Sequence, residues 1–305
     1  MLVSVIIPTY NRKNLLDISI NSVLNQTYQN FEIIIVDDNS NDGTDDYIKK
    51  INHDKIQYIK NKESMYAPTS RNIGILHSKG DLISFLDDDD EWYPDKLEKQ
   101  VKLFQDSDVG LVYGGIDLFF EDYSLSYPTS PELKGDIYKN MLIKNYIGAT
   151  PSVIVRRDAL NNVCSKENEY FDPSFPARQD YDLWVRITEK YKVDFIQEPV
   201  LKQYYRNSIN RISSNVDNHI KAHYLLDQKY KFPIDSILSS SDKKERLISQ
   251  YLFLGAQSIK INERKLATKY YLEAFKIKRD IKSLLMFFVS FFGPKLMIKM
   301  RSWFS

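Results

Sequence analysis

Three short apolar runs in the first third of the chain each stop at a polar cluster, and this repeat constrains the fold more than any other feature. Leu2–Ile7 ends at Pro8 and Thr9-Tyr10-Asn11-Arg12, Phe31–Val36 ends at Asp37-Asp38-Asn39-Ser40, and Leu82–Leu86 ends at Asp87-Asp88-Asp89-Asp90. Runs this short, apolar throughout and rich in β-branched residues read as strands buried on both faces. A fourth strand is expected at Ile56–Ile59. Between the strands, Leu16, Ile20, Val23 and Leu24 repeat at helical spacing, Gly43-Thr44 opens a helix running to Ile51, and residues 67–79 form another before Gly80. Strands alternating with helices predict a doubly wound, mainly parallel α/β sheet. In such sheets ligands sit beyond the carboxyl ends of the strands. One such cluster alone is ordinary turn chemistry; three on the same edge mark a site.

Downstream, a helix is expected over 94–105, with Pro94 in its first turn. A strand follows from Val109 to Phe119, then a loop over 120–134 and a helix over 135–145. Pro151–Arg156 reads as another strand, and Asp158 as the cap of a short helix. After a Pro-bearing loop, Gln179-Asp180-Tyr181-Asp182-Leu183-Trp184 opens a helix whose Leu183, Trp184 and Ile187 face the core. Phe195-Ile196 and Pro199–Tyr205 complete the strands, and the remainder is helical.

The aspartate cluster sets the chemistry. Five carboxylates from Asp87 to Glu91 raise one another's pKa unless a cation neutralises them. A hard divalent metal held by carboxylate oxygens resolves the crowding; the alternative is an acidic turn that starts the next helix. Charge elsewhere is uneven. The net charge is +1, but residues 242–305 carry 14 Lys/Arg against 5 Asp/Glu, a balance of +9, which leaves −8 for residues 1–241. An acidic body with a basic tail implies different partners for the two parts, and no nucleic-acid partner is expected. The single cysteine, Cys164, excludes an intrachain disulfide and suits a reducing compartment. Leu2–Pro8 is too short for a secretory signal. The four histidines show no metal spacing tied to the other motifs, and His219 and His223 read as a surface pair.

These pieces together resemble the inverting family 2 glycosyltransferases, which have the nucleotide-diphospho-sugar transferase (GT-A type) fold. The resemblance rests on Val5-Ile6-Ile7-Pro8-Thr9-Tyr10-Asn11-Arg12, on Val36-Asp37-Asp38-Asn39-Ser40 with Asp42-Gly43-Thr44, and on Arg71-Asn72 with Gly74. It continues through Asp87–Asp90 with Trp92, Pro94, Lys96 and Leu97, and ends at Gln179-Asp180-Tyr181-Asp182-Leu183-Trp184. These fall in family order over roughly 1–210; Gln179 stands where family members commonly have glutamate. The resemblance implies a sugar nucleotide as donor and a Mn2+ or Mg2+ ion on Asp89, with Asp87 supporting it and Asp88 beside the ribose. It implies that Pro8, Thr9 and Tyr10 line the base, that Asp38 accepts the uracil N3 hydrogen, and that Arg12 and Arg71, beside Asn11, meet ribose or diphosphate. Asp90 and Glu91 are expected only to start the next helix. Inversion needs a general base and no covalent nucleophile. Asp180 fits, whereas Asp182, two residues on, points away around the helix. Arg206 or Arg211 is a further candidate for the diphosphate.

The catalytic domain is thus expected over 1–214, with a helical region over 215–305. Tyr251, Leu254, Gly255, Ala267, Tyr271 and Ala274 have the spacing of one tetratricopeptide-like hairpin, at about 247–278. Ser283–Pro294 is uncharged but too short to cross a bilayer. With Leu296, Met297, Ile298, Trp303 and Phe304 and interleaved basic residues, 280–304 reads as an amphipathic helix lying on a membrane surface or docking on the body. The expected protein is cytoplasmic and peripheral on the inner face of the cell membrane, contacting it through 280–305, and extends a glycan or lipid-linked glycan of a surface polysaccharide. A nucleotidyltransferase on a related fold would carry a Gly-rich, basic loop after strand one, which Pro8–Arg12 lacks. A non-catalytic sugar-nucleotide-binding scaffold is opposed by the intact Asp87, Asp89 and Asp180.

Overall fold

A computed structural model describes residues 1–164, 168–206 and 215–302. The strands are β1 (Val3–Thr9), β2 (Phe31–Asp37), β3 (Ile56–Lys60), β4 (Leu82–Phe85), β5 (Glu91–Trp92), β6 (Val109–Phe120), β7 (Leu125–Thr129), β8 (Ile154–Arg156) and β9 (Lys192–Tyr205). The first helices are α1 (Lys13–Leu24), α2 (Thr44–Ile51), α3 (Tyr66–His77) and α4 (Lys96–Val101). They are followed by α5 (Tyr138–Ile143), α6 (Arg157–Val163) and α7 (Gln179–Thr188). The chain ends in α8 (Val216–Lys229), α9 (Lys231–Ile237), α10 (Ser240–Lys260), α11 (Arg264–Lys278), α12 (Ile281–Ser290) and α13 (Pro294–Arg301).

The sheet order is β3-β2-β1-β4-β8-β6-β9-β5, with β7 on β6. β1 lies parallel between β2 and β4, so that Val5 pairs with Ile33 on one side and Ser84 on the other. β8 is antiparallel to both β4 and β6, which leaves β6 and its parallel partner β9 running with β1 to β4. β1 to β4, β6 and β9 therefore share one direction, as the alternation of strands and helices requires.

Side chains alternate across the strands, so each face buries its own apolar layer. Val5 and Ile7 meet Leu16, Ile20 and Val23 of α1. Ile6, Ile83 and Phe85 meet Phe171, Leu183 and Trp184, and Ala222, Leu226, Tyr230 and Leu238 join that same layer. Trp184 is fully buried, as core. Gly74 lets α3 lie flush on β1, because a Cβ there would stand 2.4 Å from Ile6 Cγ2.

Four local expectations change. Glu91-Trp92 is a strand against β9 and not a helix start, because Glu91 meets Lys202 and Tyr204. The loop expected over 120–134 contains β7, paired with β6. Residues 195–205 belong to one long strand, irregular against β6 near Gly115. The terminal helix is two helices, because Gly293 at φ 91° and Pro294 break it. Met297 and Ile298 of α13 are buried, the latter against Phe120 and Tyr127. Phe288, Phe291 and Phe292 remain exposed. Trp303 and Phe304 lie outside the described residues. α10 and α11 form a helical hairpin in which a Cβ on Gly255 would stand 2.9 Å from the Tyr271 ring.

Candidate active site

The polar clusters at the ends of β1, β2 and β4 open into one cavity of about 1790 Å³. Its lining includes Pro8, Thr9, Tyr10, Asn11, Arg12, Asp38, Arg71, Asp87, Asp88, Asp89 and Asp180. Asp90 is not among them. Its carboxylate turns back to the Tyr204 N–H at 3.2 Å and the Gln203 amide at 3.4 Å, so it ties β9 to the turn rather than capping α4.

The turn after β4 is tied down by cations. Arg12 donates to Asp88 at 2.9 Å and lies 3.5 Å from Asp89. Thr9 donates its hydroxyl hydrogen to the other Asp88 oxygen at 2.9 Å. Arg71 reaches Asp87 at 2.6 Å and lies over the Phe171 ring, while its buried Nε has no hydrogen-bond partner among the described residues. Burial pushes the Asp88 carboxyl up to about 6, against the pull of Arg12 and with a further push from Asp89.

Asn11 adopts φ 51° and pins the first loop to the second. Its N–H donates to Ser40 Oγ and its side-chain oxygen accepts from Asn41 N–H, both at 2.8 Å. Asp38 is more committed than its expected role of base reader implies. It accepts from Asn61 at 2.9 Å, Met65 N–H at 2.7 Å, Ser64 at 2.7 Å, Tyr66 N–H at 2.9 Å and Ser70 at 3.3 Å. A carboxylate offers about four lone-pair sites, so a ligand donor has to displace one of these.

At the opposite wall, α7 starts at Gln179 and carries Asp180 into the cavity. One Asp180 oxygen accepts from Tyr181 N–H at 2.8 Å. Burial raises the Asp180 pKa, while Arg178 and Arg71 pull it down. Gln179 donates its amide to Phe175 O at 2.7 Å, a role closed to the glutamate common in the resembling family. Asp182 faces the other way. It is fully buried and accepts from Arg186 at 3.1 Å, Lys229 at 2.7 Å and Tyr230 at 2.8 Å.

Arg206 lines the cavity and pairs with Glu121 through a bidentate contact at 2.5 and 2.9 Å; Arg211 lies outside the described residues. One further expectation changes here. His219 and His223 are buried rather than surface residues and pack edge-on to Phe253. Arg178 is a cavity residue that sequence reasoning missed. Its guanidinium lies 4.4 Å from both the Tyr181 and Phe253 rings and donates to His223 at 2.7 Å. The only available signal was its place two residues before Asp180.

Among the described residues, no three His, Cys, Asp or Glu side chains converge on a complete cation site. Magnesium and similar ions commonly take one or two carboxylates and complete their shell with substrate phosphates. Asp89 and Asp87 suit that arrangement: both line the cavity beside Asp88, Asp89 pushes the Asp88 carboxyl up, and a hard cation would relieve that repulsion.

Comparison with known proteins decides the family. The model of "Glycosyl transferase family 2" matches residues 4–164, more than half of the chain. The chain belongs to the family 2 glycosyltransferases. That match sets aside the nucleotidyltransferase and scaffold alternatives, although it stops before Asp180. The transferase is 30% identical over 220 residues to the UDP-Glc:alpha-D-GlcNAc-diphosphoundecaprenol beta-1,3-glucosyltransferase WfgD of Escherichia coli, covering 72% of this chain and 83% of that protein. It is also 30% identical over 218 residues to the putative teichuronic acid biosynthesis glycosyltransferase TuaG of Bacillus subtilis, covering 70% and 82%. Among solved structures, the mannosyltransferase PcManGT of Pyrobaculum calidifontis with GDP-Man and Mn2+ superposes at TM-score 0.58 and 18% identity, over 93% of this chain and 77% of that one. S. aureus TarS 1-349 with UDP-GlcNAc gives 0.54 and 14%, over 99% and 92%. These likenesses establish the GT-A fold of the transferase.

Proposed function

We propose that this glycosyltransferase moves a sugar, with inversion, from a uridine diphosphate sugar to a hydroxyl of a diphosphate-linked lipid acceptor, in the assembly of a surface polysaccharide. The observation that carries the reading is the shared cavity, with Asp87–Asp89 at the sheet edge and Asp180 at the head of α7. The activity that gives WfgD its name supports the choice of donor and acceptor, and the UDP and UDP-GlcNAc complexes of TarS support the donor.

The chemistry is a single displacement. The acceptor oxygen bonds to the anomeric carbon, the bond from that carbon to the diphosphate oxygen breaks, and its electron pair leaves on the nucleoside diphosphate. Asp180 takes the proton of the attacking hydroxyl. Burial suits it to the task, because a base works best with a pKa near the working pH and burial raises that of Asp180. Arg71 and Arg12 present guanidinium groups to the diphosphate. Asp38 takes the uracil N3 hydrogen by giving up a donor from residues 64–66. Asp89 and Asp87 would hold a Mn2+ or Mg2+ ion, which supplies charge neutralisation at the departing diphosphate.

Thermal unfolding tests the donor side. UDP with Mn2+, at about a hundredfold its Kd, should add about 2.7 kcal/mol to native-state stability. The gain should vanish without metal and in Asp89→Ala. Equal stabilisation of Asp89→Ala would refute the metal assignment.

We also propose that α12 and α13 rest on the membrane surface. Ile281, Leu285 and Phe288 recur at i, i+4 and i+7 of α12 as an exposed stripe, which exposed Phe291 and Phe292 extend in the following turn, with exposed Lys295 and Lys299 beyond. No helix among the described residues is long and apolar enough to cross a bilayer. The Phe288→Ser/Phe292→Ser pair should lower partitioning onto anionic vesicles by about tenfold or more, measured by co-sedimentation. Unchanged partitioning would assign the stripe another role. Point changes are the cleaner test, because deleting 280–305 would also remove buried Met286 and Met297.

A further inference from the structure

Arg178 is costly in a way that the fold does not explain. Its backbone sits at φ 62° in the left-handed region, which costs a residue with a Cβ about 1–2 kcal/mol. It is the N-cap residue of α7, whose carbonyl accepts from Asp182 N–H, but its side chain makes no capping hydrogen bond. Its guanidinium lines the cavity, yet among the described residues no carboxylate lies within ion-pair distance, Asp180 included. His223 cannot neutralise it. Burial, and then Arg178 itself, push that imidazole down to about 2, so it stays uncharged and accepts from Arg178 through one ring nitrogen. Two aromatic rings complete the surroundings. A half-buried cation with no carboxylate in contact is costly, even with Asp180 and Asp227 acting on it from a distance, and strain persisting at a site boundary points to use.

The cavity continues past Arg178 along one face of α10. Phe253, Gln257 and Lys260 recur at i, i+4 and i+7 and all line it. Lys260 leans on the Tyr205 ring at 4.3 Å and donates to that hydroxyl at 3.1 Å, also without a carboxylate partner among the described residues. Of the other cations on this wall, Arg246 is held by Asp227 and Lys278 by Asp280, while Lys244 and Lys282 add positive charge that Glu245 offsets in part. The cavity is therefore acidic beside β4 and basic beside α10. Its volume of about 1790 Å³ exceeds the 300–1,000 Å³ that one ligand usually occupies.

We infer that Arg178, with Lys260 along the same wall, forms an anion subsite for the phosphate groups of the acceptor, apart from the donor diphosphate. This rests on the reading that Asp180 receives an acceptor hydroxyl. Arg178 and Asp180 stand two residues apart at the start of α7, and a single pyranose ring separates an acceptor hydroxyl from the phosphate on its anomeric carbon. The planar guanidinium suits paired phosphate oxygens.

Transfer to two soluble acceptors with the same sugar tests the subsite, one a short-chain alkyl diphosphate ester and the other a neutral alkyl glycoside. The wild type should favour the diphosphate by kcat/KM. Arg178→Gln should cut that preference ratio by about tenfold to a hundredfold, Lys260→Gln by less, and Arg178→Lys should restore most of it. An equal loss on both acceptors, an intact ratio in Arg178→Gln, or a wild type indifferent to the diphosphate would overturn the subsite. If the wild type uses neither acceptor, the acceptor reading itself fails. Calorimetry of inorganic pyrophosphate on UDP-saturated enzyme then decides: binding lost in Arg178→Gln sustains an anion site, and binding equal in both proteins, or absent from both, removes it.

Discussion

Asp180→Asn should lower kcat by about 10²–10⁴-fold and leave donor affinity intact. The amide fills the same space but cannot take the acceptor proton. In the parent enzyme, transfer should decline as pH falls through the native pKa of Asp180, which burial holds above the ordinary carboxylate value. The variant's residual rate should lack that acid limb. Stability should move the other way. With its native pKa above its unfolded one, the folded chain keeps the Asp180 proton to higher pH than the unfolded chain does. Ionisation therefore costs stability, not at all below the unfolded pKa and in full above the native pKa. Asn removes that cost, so the variant should melt higher than the parent at neutral pH and show no such gain in acid. Transfer at the parental rate would remove Asp180 as the base.

Asp182→Ala should do the reverse. The Asp182 carboxylate is fully buried and accepts from Arg186, Lys229 and Tyr230. Arg186 also donates to the carbonyls of Val163 and Tyr170, so the cluster joins α7 to α8 and to the chain before it. Removing the carboxylate strands a buried guanidinium, at a cost of about 3–5 kcal/mol, out of a total that rarely exceeds about 15 kcal/mol. The denaturant midpoint should fall sharply, while molecules that stay folded keep turning over with Asp180 intact. A midpoint within experimental error of the parent would show that the cluster adds nothing. On these two outcomes the aspartates of one motif would separate into one that works and one that holds.

The strand-end half of the cavity was readable because it rests on rules with few exceptions. Parallel strands deliver their carboxyl ends to one edge, so Thr9, Asp38 and Asp87–Asp89 had to meet. The different fates of Asp180 and Asp182 followed from helical geometry. What escaped depended on partners distant in sequence. Glu91 becomes part of a strand only because Lys202 and Tyr204 come to meet it. Asp38 is occupied by a turn whose Tyr66 adopts φ 64°, a conformation that no residue type there announces. Arg178 gains its meaning from Phe253 and His223, contributed by helices whose docking carries no local signature. Gly293-Pro294 is a plain break signal, yet the apolar residues on both sides of it read as one continuous helix.

α3 has a mechanical consequence. At its head Met65 and Tyr66 donate N–H groups to Asp38, and one and a half turns later the same rod carries Arg71 against Asp87. A helix of this length moves as a unit, wedged onto β1 at Gly74. A shift at its head that frees Asp38 therefore carries Arg71 with it, and a pull on Arg71 tightens or loosens the grip on Asp38. Nucleobase and diphosphate would be sensed by one lever, and a molecule offering only one of them would move that lever from a single end.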